Sequence, residues 1–143
     1  MFIMVALGAS AQVTGGRYAM AFLRMPNSPH ISALGGINVV NPENDISFAL
    51  QNPALMRGTL HNQIGLNYNN YYAGIKVINL NYGYHVPQIK TSFALGVQYL
   101  NYGNFVQTDF FGNTLGDFKA HDFAVTMAAS RQYKERWRYG AAI

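Results

Sequence analysis

Four histidines, His30, His61, His85 and His121, and six carboxylates are the side chains with which this chain could bind a metal or move a proton. Metal sites draw their ligands from short, repeated spacings, and these histidines stand too far apart in sequence to supply one. His121-Asp122 is the only histidine beside a carboxylate, and adjacent residues of a strand point to opposite faces, so the two form no acid–base dyad. Glu43 and Asp45 flank a proline-containing turn that leads into Phe48-Ala49-Leu50, a placement suited to capping a helical turn. Without cysteine there is no disulfide, thiolate ligand or thiol nucleophile. No nucleophile elbow, Walker or dinucleotide-binding glycine pattern occurs among the 14 glycines. The expectation is a protein with no enzymatic activity and no cofactor.

The elements that would position these residues follow from composition. Half of the 143 residues are hydrophobic and only 11% are charged, against roughly 25% in soluble domains. With 14 glycines, 10 tyrosines and 9 phenylalanines, the chain is too aromatic and glycine-rich for a helical bundle and too apolar for disorder, which leaves an all-β class. Beyond the N-terminus no run approaches the roughly 20 apolar residues of a membrane-crossing helix. Arg131, Lys134, Arg136 and Arg138 concentrate the positive charge, but they form a cluster and not a stripe interleaved with aromatic platforms. That pattern describes a solvated turn and argues against nucleic acid as a partner.

Residues 1–11, MFIMVALGASA, join an apolar stretch to a small-residue Ala9-Ser10-Ala11 cleavage pattern, as in a signal peptide, although no positive charge precedes it. An ordinary buried strand is the alternative. Residues 12–60 have no sustained period and are broken by Gly15-Gly16, Gly35-Gly36 and prolines 26, 29, 42 and 53. They describe a plug-like irregular segment, with Ala21, Phe22, Leu23, Met25 and Leu34 apolar enough to be buried.

From residue 61 to 143 the pattern alternates with period two. Ile64, Leu66 and Tyr68 oppose Gly65, Asn67 and Asn69; Ile78, Leu80, Tyr82 and Tyr84 oppose Asn79, Asn81 and Gly83. Phe93, Leu95, Val97 and Tyr99 form a third run, Phe123, Val125, Met127 and Ala129 a fourth, and a fifth begins near Trp137. Runs of about ten residues with aromatic ends suit tilted strands crossing a bilayer. A long Asn/Gly-rich loop from Asn101 to Gly116 and a short turn at His85-Val86-Pro87-Gln88 fit the long-outside, short-inside habit of outer-membrane barrels, with Arg131 to Arg136 on the short-turn side. The fold class expected is therefore an all-β transmembrane antiparallel barrel, represented by its first four to five strands and truncated at the C-terminus. A secreted β-sandwich shares the alternation. Against it, the second face carries Asn, Gly, Gln, Ala and Thr where a soluble sheet uses Lys and Glu.

A family resemblance covers nearly all of residues 12–143. Gly15-Gly16-Arg17-Tyr18, Phe22-Leu23-Arg24-Met25-Pro26-Asn27-Ser28, Ala33-Leu34-Gly35-Gly36 and Asn52-Pro53-Ala54-Leu55 together resemble the mature N-terminus of the PorQ family of the Bacteroidetes type IX secretion system. Leu100 to Phe105, Thr108-Asp109, Gly112-Asn113, Gly116-Asp117-Phe118 and Ala120-His121-Asp122 resemble the loop and fourth strand that this family shares with the PorV proteins. Asn-Pro-Ala also recurs in the wider fatty-acid transporter-like barrels, where it belongs to the plug. Pro29-His30 departs from the family's Ser-x-Arg pattern.

The resemblance implies a barrel of roughly fourteen strands in the outer membrane, with a plug motif of Gly35, Gly36, Asn52, Pro53 and Ala54. It also implies a non-catalytic scaffold that anchors a surface protein of the PorZ type and, indirectly, PorU and PorV. That attachment complex processes cargo and joins it to anionic lipopolysaccharide. The extracellular residues best suited to such a contact are Tyr102, Phe105, Asp109, Phe110 and Phe111, because exposed aromatics offer contact area at low entropic cost. Phe110 and Phe111 folded back over the lumen is the competing arrangement. A transporter of hydrophobic small molecules is the alternative function, and it would call for apolar patches on the lumen-facing side of the strands.

Overall fold

The structure is a computed structural model and describes residues 20–37, 44–134 and 136–143. The expected signal segment, Gly15-Gly16 and Glu43 lie outside the described residues. Five strands, β1 (Gln63–Asn70), β2 (Lys76–Val86), β3 (Thr91–Thr108), β4 (Thr114–Tyr133) and β5 (Trp137–Ala142), follow one another in the chain. Each pairs antiparallel with the next in one open sheet ordered β1-β2-β3-β4-β5. Leu66 stands opposite Leu80, Leu80 opposite Val97 and Val97 opposite Val125, so the period-two pattern stays in phase across four strands and two chemically distinct faces result.

The β2–β3 and β4–β5 connections lie at one end, and the short β1–β2 connection, residues 71–75, lies at the other. The turn after β2 is Pro87–Ile89, with Lys90 in the left-handed region, and β2 itself runs on through His85 and Val86, which sequence places in the turn. Lys90 accepts the Gln132 N–H at 3.1 Å and so ties this turn to the end of β4. At the other end, β2 stops where Lys76 faces Asn101, while β3 and β4 continue pairing to Thr108 and Thr114 beyond a bulge between Asn101 and Asn104. The expected loop from Asn101 to Gly116 is thus mostly a two-stranded ribbon. Its glycines and asparagines serve a bulge, with Gly103 at φ 86°, and a tight turn over residues 109–113; cross-strand pairing of Phe105 with Phe118 holds the strands together between them.

The N-terminal segment is built from short capped turns. Helix α1 (Pro29–Ala33) starts with Pro29 at its first position and Ser28 as cap, whose hydroxyl accepts the Ile31 N–H at 3.2 Å. It stops at Gly35 and Gly36, with φ of 91° and 89°, where the Gly36 N–H returns to the Ile31 carbonyl at 2.8 Å. Asp45 caps the 3-10 turn Ile46–Phe48 by accepting the Ser47 N–H at 2.8 Å, the role expected of it. Two further 3-10 turns, Pro53–Leu55 and Gly58–Leu60, complete the path to β1.

The core lies between this segment and the small-residue face of the sheet. Ile46, Ala49, Met56 and Leu60 pack on Ala94 and Ala128, with Leu50 beside them. None of Ala21, Phe22, Leu23, Met25 and Leu34 is buried; Asn27, Ser28 and Ile31 are. Burial at that point follows hydrogen bonding more than hydropathy: the Asn27 amide donates to the Ser47 carbonyl at 2.9 Å and joins α1 to the next turn.

Candidate functional site

Three features distinguish the molecule: a seat of glycines on one face, an uncovered aromatic belt on the other, and a projecting hairpin. The seat explains where the N-terminal segment lies. A methyl group on Gly65 or Gly83 would approach the Ile46 side chain to 2.6 Å, and on Gly83 it would also meet the Leu60 carbonyl at 2.7 Å. On Gly96 it would overlap Leu50, and on Gly140 it would meet the backbone of Pro53 and Ala54 at 2.7 Å. Sequence places Gly65 and Gly83 on the small-residue face without giving them this role, although glycines on one face of several strands are the signal that a chain segment approaches closely there. The two halves of the Gly35, Gly36, Asn52, Pro53, Ala54 motif therefore act separately: one ends α1, the other rests on β5. A hydrogen bond from the Gln51 side chain to the Gly36 carbonyl, 3.0 Å, links them.

The opposite face is apolar and open. Its central row is Leu66, Leu80, Val97 and Val125. Toward the hairpin end comes a row of Tyr68, Ile78, Tyr99 and Phe123; toward the short-turn end come Tyr82, then Tyr84 and Phe93. Lys76, Asn101 and His121 bound this belt above and Thr91 and Arg131 below. No described segment covers it: Leu66 is 71% and Phe123 70% exposed. The 11 residues of β2 extend about 33 Å, or about 25 Å in height at a tilt of roughly 40°.

The ribbon carries its tip roughly 20 Å past the end of β2. Of the five candidate contact residues, Asp109, Phe110 and Phe111 meet at that tip. The Asp109 carboxylate accepts N–H groups from Asn113 at 2.7 Å and Phe111 at 2.9 Å, and the Asn113 side-chain amide at 2.9 Å. The Asn113 side-chain bond, then its backbone N–H, holds the Asp109 carboxyl below the ordinary aspartate range. This stapled turn presents Phe110 at 98% and Phe111 at 87% exposure, with the rings edge to face at 5.8 Å. Among the described residues, neither ring packs over the sheet. Phe105 lies lower in the ribbon, stacked on Phe118 at 5.2 Å. Tyr102 is at the base, where its hydroxyl donates to Asp122 at 2.9 Å, so its part is to fasten the bulge.

The remaining polar side chains are dispersed. His121 lies against Tyr99 at 6.2 Å on the aromatic face, whereas Asp122 takes Tyr102 on the other, the separation expected of strand neighbours. His61 Nδ1 accepts the His85 N–H at 3.2 Å, His85 Nδ1 bonds the Ser92 hydroxyl at 2.9 Å, and His30 sits 3.9 Å from Asp45. Among the described residues, no three His, Asp or Glu side chains gather as a metal site requires, and no helix is long and apolar enough to cross a membrane. Arg131, Lys134 and Arg136 are solvated at the short-turn end, while Arg138 donates to the Met56 carbonyl at 3.3 Å and to Gln132 at 3.0 Å. No protein-family model, curated protein or solved structure matches the chain.

Proposed function

We propose that this sheet is part of an outer-membrane β-barrel of the type IX secretion system, exported by the signal peptide of residues 1–11. In this reading the aromatic belt meets lipid, the N-terminal segment is an internal plug, and the β3–β4 hairpin holds a PorZ-type surface protein and, through it, PorU and PorV. The role is a scaffold, without chemistry of its own. The observation that carries it is the inversion of the two faces. In a sheet surrounded by water the large apolar side chains pack on the rest of the chain and the polar ones face out. Here the segment packs on the Asn, Gly and Ala face, and the Leu, Tyr and Phe face is left open in a band flanked by aromatic rows, as lipid requires.

The resemblance of the sequence to the PorQ family supports the choice of system, and the projecting aromatic tip supports the choice of contact. The test is affinity capture of the tagged protein from detergent-solubilised outer membranes of its host, beside a variant in which residues 104–118 are replaced by a two-residue turn. A surface protein captured by the first and lost from the second, with both in the membrane fraction, is the expected result. Capture of the barrel alone with bound lipid would favour a transporter, and absence from the membrane fraction would sink both readings.

A further inference from the structure

Between the N-terminal segment and the sheet lies a cavity of about 280 Å³. Asn27, Asn79 and Gln98 line one part of it and Leu23, Leu50 and Ile143 another. Asn79 is 1% and Asn27 7% exposed, yet among the described residues the Asn79 Nδ2, the Gln98 Nε2 and the Asn27 Oδ1 have no hydrogen-bond partner. Buried amides in native proteins are nearly always satisfied, and leaving several unpaired around one space is costly. Asn79 and Gln98 are direct cross-strand partners of β2 and β3, so their side chains leave the sheet about 5 Å apart on the same face. Asn27 belongs to the N-terminal segment. The polar set is thus two neighbouring donors on the sheet and one acceptor on the segment.

From this juxtaposition we infer that the cavity is a binding site for a small neutral amide with a short apolar tail. The carbonyl oxygen of such a guest accepts from the Asn79 and Gln98 amides, its N–H donates to the Asn27 oxygen, and its tail lies against Leu23, Leu50 and Ile143. Among the described residues no Lys, Arg, Asp or Glu side chain lines the cavity, so a carboxylate or an ammonium would lose its hydration without gaining a counter-charge. The site therefore discriminates by charge as well as by shape. It does not depend on whether the aromatic belt meets lipid, because the cavity lies on the other face.

The probes are hexanamide and hexanoate, titrated at neutral pH into the purified full chain by calorimetry or ligand-observed NMR. Hexanamide is expected to bind and hexanoate to bind at least about tenfold more weakly, since the amide pairing costs the charged analogue its solvation. Asn79→Leu and Gln98→Met, each checked for an intact sheet by circular dichroism, are expected to weaken hexanamide about tenfold. Equal binding of the two probes, or hexanamide binding indifferent to both substitutions, would mean an unspecific apolar hollow and overturn the inference. Absence of hexanamide binding to the unaltered protein would mean that water alone satisfies the amides, and overturns it also. The wild-type comparison decides the matter even if a substituted chain fails to fold.

Discussion

A methyl group added to Gly140 has nowhere to go, because the atoms it meets at 2.7 Å belong to the backbone of Pro53 and Ala54. At Gly96 the obstacle is the end of the Leu50 side chain, which can turn aside. Gly140→Ala is therefore expected to destabilise the fold by about 1–3 kcal/mol and Gly96→Ala by less, as overpacking costs depend on what can yield. Denaturant midpoints of the two variants measure the difference. Gly112, at φ 85° in open space at the hairpin tip, separates strain from crowding: its alanine variant should cost about 1 kcal/mol and leave the seat unaffected. Asp109 supplies a pH dependence. Its carboxyl is depressed by Asn113, so the order it gives the tip is present above the ordinary aspartate pKa and is lost as pH falls through the lower, folded value. Amide shifts of Phe111 and Asn113, followed through an acid titration, should move with that lower midpoint, and in Asp109→Ala the acid transition should vanish.

At the scale of elements, the strands were legible and their ends were not. Alternation in Ile78 to Tyr84 or Phe93 to Tyr99 is a local property, and the five strands lie where it placed them. Where β3 and β4 stop depends on partners across the ribbon, and Asn101 to Gly116 has the composition of a loop because a bulge and a turn use the same residues as one. The cap at Asp45 could be read from its spacing to Phe48. The seat of the N-terminal segment could not, since 3-10 turns carry no period and the contact with β5 joins residues far apart in the chain. The ribbon itself is held by its own cross-strand pairing, to which the Phe105–Phe118 stack adds side-chain contact. Phe118→Ala should cost the ribbon about 0.5–1.5 kcal/mol beyond lost area. The measurement is limited proteolysis, with cleavage near the tip accelerated while β1 and β2 remain protected.

For the whole molecule, the central question is what covers the belt, and a charge placed in its middle row answers it. Leu80 is 47% exposed, so in a water-facing sheet Leu80→Arg would change stability by no more than about 0.5 kcal/mol. Against lipid the same substitution is expected to cost about 2–4 kcal/mol, falling toward zero for His121→Arg, which is exposed at the rim. Urea titrations of folding into phosphatidylcholine vesicles distinguish the two, and equal, small effects at both positions would refute a lipid-facing belt.

The glycine seat has a consequence in time. Residues 44–60 leave the ribosome before any of the strands they rest on, and their resting place on Gly65, Gly83, Gly96 and Gly140 exists only when all five strands are side by side. A segment made ahead of the strands is thus fully housed only after the last of them. Ile46 and Leu60 can settle on β1 and β2, but until β5 has paired Pro53 and Ala54 have no seat, and closing so wide a span of chain is the slowest kind of step a sheet protein takes. A chain truncated before Trp137 should accordingly remain open to proteases at Pro53–Leu55, however well its first strands have formed.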